Sequence, residues 1–154
     1  MSSISNFYDN LIALIGTTFT GANAKKELVD PYNISENNDI ILKNGFGVIL
    51  GQTSNPKGIL GSQILLERTI ELVFTKQHVG SDRDTAARRT TEKLLLEDEL
   101  LMIKGIWGEG GTLSETVPYL LYSGNEGLSY VFSEKKNFLM LKMIFNVKYN
   151  ESLI

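Results

Sequence analysis

Apolar residues recur along this chain with two periods, and the switches between the periods mark out its elements. The stretch SSISNFYDNLIALIGTTF puts Ile4, Phe7, Tyr8, Leu11, Leu14 and Ile15 on one side of a helix and Ser5, Asn6, Asp9 and Asn10 on the other. Ser3 or Ser5 can cap that helix, and Gly16 with the threonines after it can end it. Later the period shortens to two: Ile70, Leu72 and Phe74 alternate with Thr69, Glu71, Val73 and Thr75, the pattern of a long strand with one mostly apolar face. A second helix follows. Ser81 and Asp84 have the spacing of an N-cap hydroxyl and a first-turn acid, and Asp82, Asp84 and the late Lys104 all suit the helix dipole.

This second helix is unusual in how its hydrophobes are spread. From Asp82 to Lys93 only Ala86 and Ala87 are apolar, whereas Leu94 to Ile103 holds Leu94, Leu95, Leu96, Leu100, Leu101, Met102 and Ile103. At about 100° per residue, Leu94 and Leu101 share a side with Ala87 and Thr90, while Leu96, Leu100 and Ile103 fall nearly opposite. The segment therefore requires cover on two sides. A sheet is one cover; the N-terminal helix or a neighbouring subunit is the other.

Between these elements the pattern is broken by turn formers. Asp30-Pro31 interrupts regular structure, since proline fixes its own φ and pushes Asp30 towards extended conformations. Ile40 to Leu42 lead through Asn44-Gly45 into a short strand from Phe46 to Leu50, whose glycines point to close backbone approach or bulges. Gln52 to Gly61, with Asn55-Pro56 and Gly58, reads as an exposed hairpin loop. After the long helix, Trp107 to Gly111 is too glycine-rich to stay regular. A connector follows that is expected to carry Trp107, Tyr119 and Tyr122 inward, and Ser123 to Glu126 reads as a turn. Gly127 to Ser133 and Asn137 to Tyr149 make the clearest hairpin. Leu139, Leu141, Met143, Phe145, Val147 and Tyr149 form one apolar row, opposed by a face that begins apolar and ends polar. The order helix, strand, strand, helix, strand, strand gives an α+β fold class: a single two-layer domain over 1–154, with helices packed on an antiparallel sheet.

Composition narrows the chemistry. The 154 residues can bury a sizeable core without staples, and cysteine is absent, which excludes disulfides and thiolate chemistry. A formal net charge of −3, from 15 basic and 18 acidic residues mixed along the chain, gives no long-range attraction for nucleic acid or an anionic membrane. No apolar run reaches the roughly 20 residues of a membrane span, and the N-terminus lacks a basic region followed by an apolar block. The expectation is a soluble, non-exported protein.

No catalytic constellation emerges. His78 is the sole histidine and reads as solvated or capping, without a second histidine or paired carboxylate nearby in sequence. Glu97-Asp98-Glu99 reads as a solvated patch, because consecutive helical residues diverge by about 100°. Gly108, Gly110 and Gly111 are followed by no Gly-Lys-Ser/Thr, so a phosphate loop is not expected. Arg83, Arg88 and Arg89 form either a face neutralised by Asp82, Asp84 and Glu92 or a surface that binds a neighbouring subunit's carboxylates.

Taken in order, several features resemble the tail terminator, or tail completion, proteins of long-tailed bacteriophages. They are the amphipathic opening helix, Asp30-Pro31-Tyr32 with Asn37-Asn38, and Leu42-Lys43-Asn44-Gly45-Phe46-Gly47-Val48. The strand ending Val73-Phe74-Thr75, the helix with Arg88-Arg89 and Glu92-Lys93 ahead of its leucines, and the strand Phe138 to Tyr149 complete the resemblance. It implies a virion protein, assembled in the host cytoplasm, that forms a homohexameric ring on the head-proximal end of the tail tube. Such a ring stops tube polymerisation and offers a docking surface to the head-completion or connector protein, while DNA passes through the lumen without specific binding. No enzyme activity, cofactor, metal or membrane contact is implied. Candidate contacts are Asn55 and Lys57 in the loop, Glu109 in the glycine-rich segment, and Arg83, Arg88 and Arg89 on the helix. The alternatives are a head–tail adaptor or tube protein and, in another class, a small-molecule-binding module.

Overall fold

The computed structural model describes residues 3–20, 25–55, 58–78, 84–132 and 137–154. Helix α1 (Ser3–Thr18) leads to a short strand β1 (Glu27–Leu28), a 3-10 segment (Pro31–Glu36) and a one-turn helix α2 (Asp39–Leu42). Strands β2 (Asn44–Ser54), β3 (Ile59–Leu60) and β4 (Gln63–Gln77) precede the long helix α3 (Thr85–Trp107). A 3-10 turn (Leu113–Glu115) then leads into the hairpin of β5 (Tyr119–Phe132) and β6 (Asn137–Ser152). One sheet results, in the order β1-β2-β4-β6-β5, with β3 paired to the start of β4. All pairings are antiparallel except that of β1 with β2.

The sequence period and the pairing register together build the core. Ile70, Leu72 and Phe74 of β4 sit opposite Phe145, Met143 and Leu141 of β6, so the two apolar rows fall on one face. Phe7, Leu11 and Ile15 of α1 and Leu95, Met102 and Ile106 of α3 cover that face, all at most 1% exposed. The fold is a two-layer α+β domain, as the element order predicts.

The opposite face is covered only near one end, by the chain from Val29 to Leu42. Val29 and Leu42 pack there against Phe138, with Ile34, Ile41 and Val131 around them. This cover explains two glycines: a Cβ at Gly45 would stand 2.5 Å from Val29 Cγ1, and one at Gly47 would stand 2.9 Å from Pro31 Cβ. Beyond that cover, Met140, Lys142, Ile144 and Asn146 remain half-buried.

Several boundaries differ from the sequence reading, each for a tertiary reason. Helix α1 runs through Gly16, because the backbone continues to hydrogen bond as far as Phe19 N to Ile15 O and buried Phe19 anchors the end, edge-on to Phe74. The expected loop from Gln52 is in part strand: β2 extends to Ser54 past an irregularity after Leu50, where Arg68 donates to the Gly51 carbonyl at 3.0 Å. The expected turn at Ser123–Glu126 is a stretch of β5 instead. Gly124 and Asn125 pair with Ile144 and Met143, and the positive φ of Gly124 and Gly127 accompanies two register shifts. Trp107 and Tyr119 are about two-fifths exposed rather than inward, because Leu113 and Val117 occupy the core beside them. The hairpin tip at 133–136 lies outside the described residues.

Candidate functional site

The surface with the most to explain is that of α3. Its N-cap is Asp84, whose carboxylate accepts from Ala87 N at 3.0 Å; the expected cap Ser81 lies outside the described residues. One stripe of the helix is buried, made of Thr91, Leu95, Asp98, Met102 and Ile106. These residues recur every three or four positions, so they face the sheet together. The leucines on either side are left out of that stripe: Leu94 is 43% exposed and Leu96 and Leu100 are each 51% exposed. The second cover that these leucines call for is not supplied by α1. That helix meets α3 near its C-terminal end, where Gly105 faces Thr18 and Leu14.

Asp98 overturns the reading of Glu97-Asp98-Glu99 as a solvated patch. Its side chain is 9% exposed and accepts from Lys26 Nζ at 2.8 Å, with Lys76 Nζ 3.6 Å away. Asn44 Oδ1 accepts from both lysines, at 2.9 and 2.7 Å, and the Lys26 ammonium lies over the rings of Phe19 and Phe74. Burial pushes the Lys26 pKa down to about 8, and neighbouring Lys76 adds to the shift, against the opposing pull of Asp98. With a fully buried side chain, Lys26 is a clamp between α3 and the sheet rather than a nucleophile open to substrate. The spacing of Asp98 from Leu95 and Met102 carried the signal for its burial; nothing local marked Lys26.

Glu99, one residue on, accepts from Asn125 Nδ2 of β5 at 2.6 Å, which places this side of α3 towards the β5 edge of the sheet. His78 is also buried, at 2% exposure, and stands edge-on to Tyr130 with ring centroids 5.5 Å apart. The solvated reading of His78 fails because the strand end carries it under the β5–β6 hairpin, its backbone N–H bonding Asn137 O.

The candidate contacts that are described do not converge. Arg83 and Lys57 lie outside the described residues. Arg88 is half-buried and Arg89 exposed on the first turns of α3, and neither forms an ion pair among the described residues. Glu109 is exposed beyond the other end of α3, about 30 Å away along the helix by the rise per residue. Asn55, exposed just after β2, belongs to a third region. The four that are described thus occupy separate regions and form no single site.

Among the grooves on the described surface are two shallow ones. One, of about 280 Å3, lies between α1 and the 3-10 turn and is lined by Asn10, Ala13, Leu14, Thr17, Leu113 and Thr116 among others. The other, of about 230 Å3, lies between the start of α1 and Leu50 and is lined also by Ile4 and Tyr8. The first is lined by no titratable side chain and the second by Tyr8 and Asp9 alone, and no cluster of three or more metal-ligating side chains occurs among the described residues. No described helix is long and apolar enough to cross a membrane. No protein-family model matches the chain, and no curated protein matches it significantly.

Proposed function

We propose that this chain is an assembly protein of the tail-terminator kind. In this reading, copies form a ring on the head-proximal end of a phage tail tube, end its polymerisation and present the docking surface for the head connector. The observation that carries the reading is the outer face of α3, where Leu96 and Leu100 are exposed on the same side as Arg89, which forms no ion pair among the described residues. Exposed apolar area rimmed by charge is the mark of a protein–protein surface. The mechanism is geometric: a ring that matches the last tube ring on one side and differs from it on the other stops an open-ended, heterologous assembly.

The reading is tested by adding the purified protein to polymerising tube protein of the same phage and measuring tube lengths by electron microscopy. Tubes should shorten as the protein is added and carry it at one end only. Unchanged tube lengths would remove the terminator role, and polymerisation of this chain by itself would make it a tube protein.

A further inference from the structure

We infer that the groove between the start of α1 and β2 is a seat for an arginine side chain of a partner protein. The groove holds about 230 Å3 and is lined by Ile4, Ser5, Tyr8, Asp9 and Leu50. Its walls follow from the helical period. Ile4 and Tyr8 are one turn apart, as are Ser5 and Asp9, so each pair forms a row along the flank of α1. The Ile4–Tyr8 row is half-buried and packs against the core, whereas Ser5 and Asp9 are exposed, and Leu50 supplies the wall from β2. An apolar floor therefore meets an acidic rim.

Asp9 has no task inside the chain. It lies beyond the first turn of α1, where an acid would serve the free backbone N–H groups, and it forms neither an ion pair nor a hydrogen bond among the described residues. Its neighbours are engaged. Glu151 accepts from Ile4 N at 3.3 Å, and Arg68 donates to the Gly51 carbonyl at 3.0 Å and to the Tyr149 hydroxyl at 3.4 Å. The Leu50 N–H donates to the Tyr32 hydroxyl at 3.1 Å. The Asp9 carboxylate is thus the charge on the rim left for an incoming group.

Charge complementarity selects the occupant. An uncharged apolar side chain would leave Asp9 unused, and an acid would be repelled. Arginine uses the whole groove: its stem lies along Ile4 and Leu50, and its planar guanidinium can stack on the Tyr8 ring and grip both oxygens of Asp9. Lysine offers only a point charge at the rim. The groove is also shallow, whereas small ligands bind where most of their surface is enclosed, so the arginine comes on a protein surface that closes the open side. Arginine is one of the residue types that anchor such contacts. This seat lies on α1 and β2, apart from the leucines of α3, and does not rest on the terminator reading.

The test titrates the blocked tripeptide Gly-Arg-Gly into the full-length, isotope-labelled protein and follows the amide NMR signals. Saturable shifts should be confined to residues 4–9 and Leu50. The same peptide with citrulline, which keeps the shape of arginine and removes its charge, should bind about threefold to fivefold more weakly, the worth of an exposed ion pair. Gly-Lys-Gly should also bind more weakly than Gly-Arg-Gly, and Asp9→Asn, at an exposed position, should reduce arginine binding to the citrulline level. Shifts that are scattered or fail to saturate, equal binding of the citrulline or lysine peptide, or undiminished binding by Asp9→Asn would each overturn the inference.

Discussion

Lys26 donates to Asp98 across 2.8 Å although 72 residues separate them in the chain. The pair joins the segment after α1 to the middle of α3, and Asn44 and Lys76 tie both to the sheet. Asp98→Ala leaves two lysines facing each other without their shared carboxylate, and it should cost about 3–5 kcal/mol, the usual penalty for orphaning a buried charge. Replacing both partners, as Lys26→Met/Asp98→Leu, should cost much less than Asp98→Ala, and urea unfolding of the three proteins provides the comparison.

The same lysine sets a pH dependence. Its pKa in the folded chain is about 8, below the ordinary 10.5, because burial penalises the ammonium. Below pH 8 both states are protonated and folding carries the full cost of the buried charge. Between pH 8 and 10.5 the unfolded chain holds a proton that the folded chain has released, so stability rises with pH, by at most about 1.4 kcal/mol per unit. Asp98, Lys76, Asn44 and the rings of Phe19 and Phe74 are the groups facing it. Tyr122 opposes the trend: burial raises its pKa, so its contribution is lost as the pH climbs past 10. The difference between wild type and Lys26→Met, followed by thermal melts from pH 7 to 10, isolates the lysine and should favour the wild type increasingly.

At Gly45 the lack of a side chain is a packing requirement. An added Cβ would meet Val29 Cγ1 at 2.5 Å, Thr75 Oγ1 at 2.6 Å and the Ile41 carbonyl at 3.0 Å. Gly45→Ala should therefore destabilise by about 1–3 kcal/mol, the range for an overpacked core. Gly16→Ala is its control, with nothing within 4 Å of the new Cβ and a helical backbone, and should be neutral or slightly stabilising.

Leu95 and Leu100 lie five residues apart on α3 and should behave oppositely. Leu95 is fully buried, so Leu95→Ala should cost about 2–5 kcal/mol through the cavity it leaves. Leu100 is half exposed, so Leu100→Ser should change chemical stability by less than about 0.5 kcal/mol while weakening self-association. Loss of stability at Leu100 without loss of association would place that leucine in the fold instead of at a contact.

How much of this was legible depends on whether a residue's fate was decided locally. The rows Ile70-Leu72-Phe74 and Leu139 to Tyr149 announce their strands and their buried face, since period two is a property of the strand itself. The order of elements, and with it the α+β class, follows from such rows. Helix α3 is different: three apolar stripes compete, and the one that wins includes Asp98, whose burial depends on Lys26 arriving from the far side of the chain. Likewise Ser123–Glu126 has turn residues, and only the ladder offered by β6 keeps it extended. The surplus leucines of α3 were legible in composition, but which of them stay exposed depends on how the helix lies on the sheet.

The most direct measurement is electron microscopy of lysates from a phage that carries this gene and from the same phage with the gene deleted. The terminator account predicts abnormally long tails, detached from filled heads, and their return to normal length when the intact gene is supplied in trans. Complete particles in the deletion lysate would contradict the account, and tails of normal length that fail to join heads would move the protein to the head side of the joint.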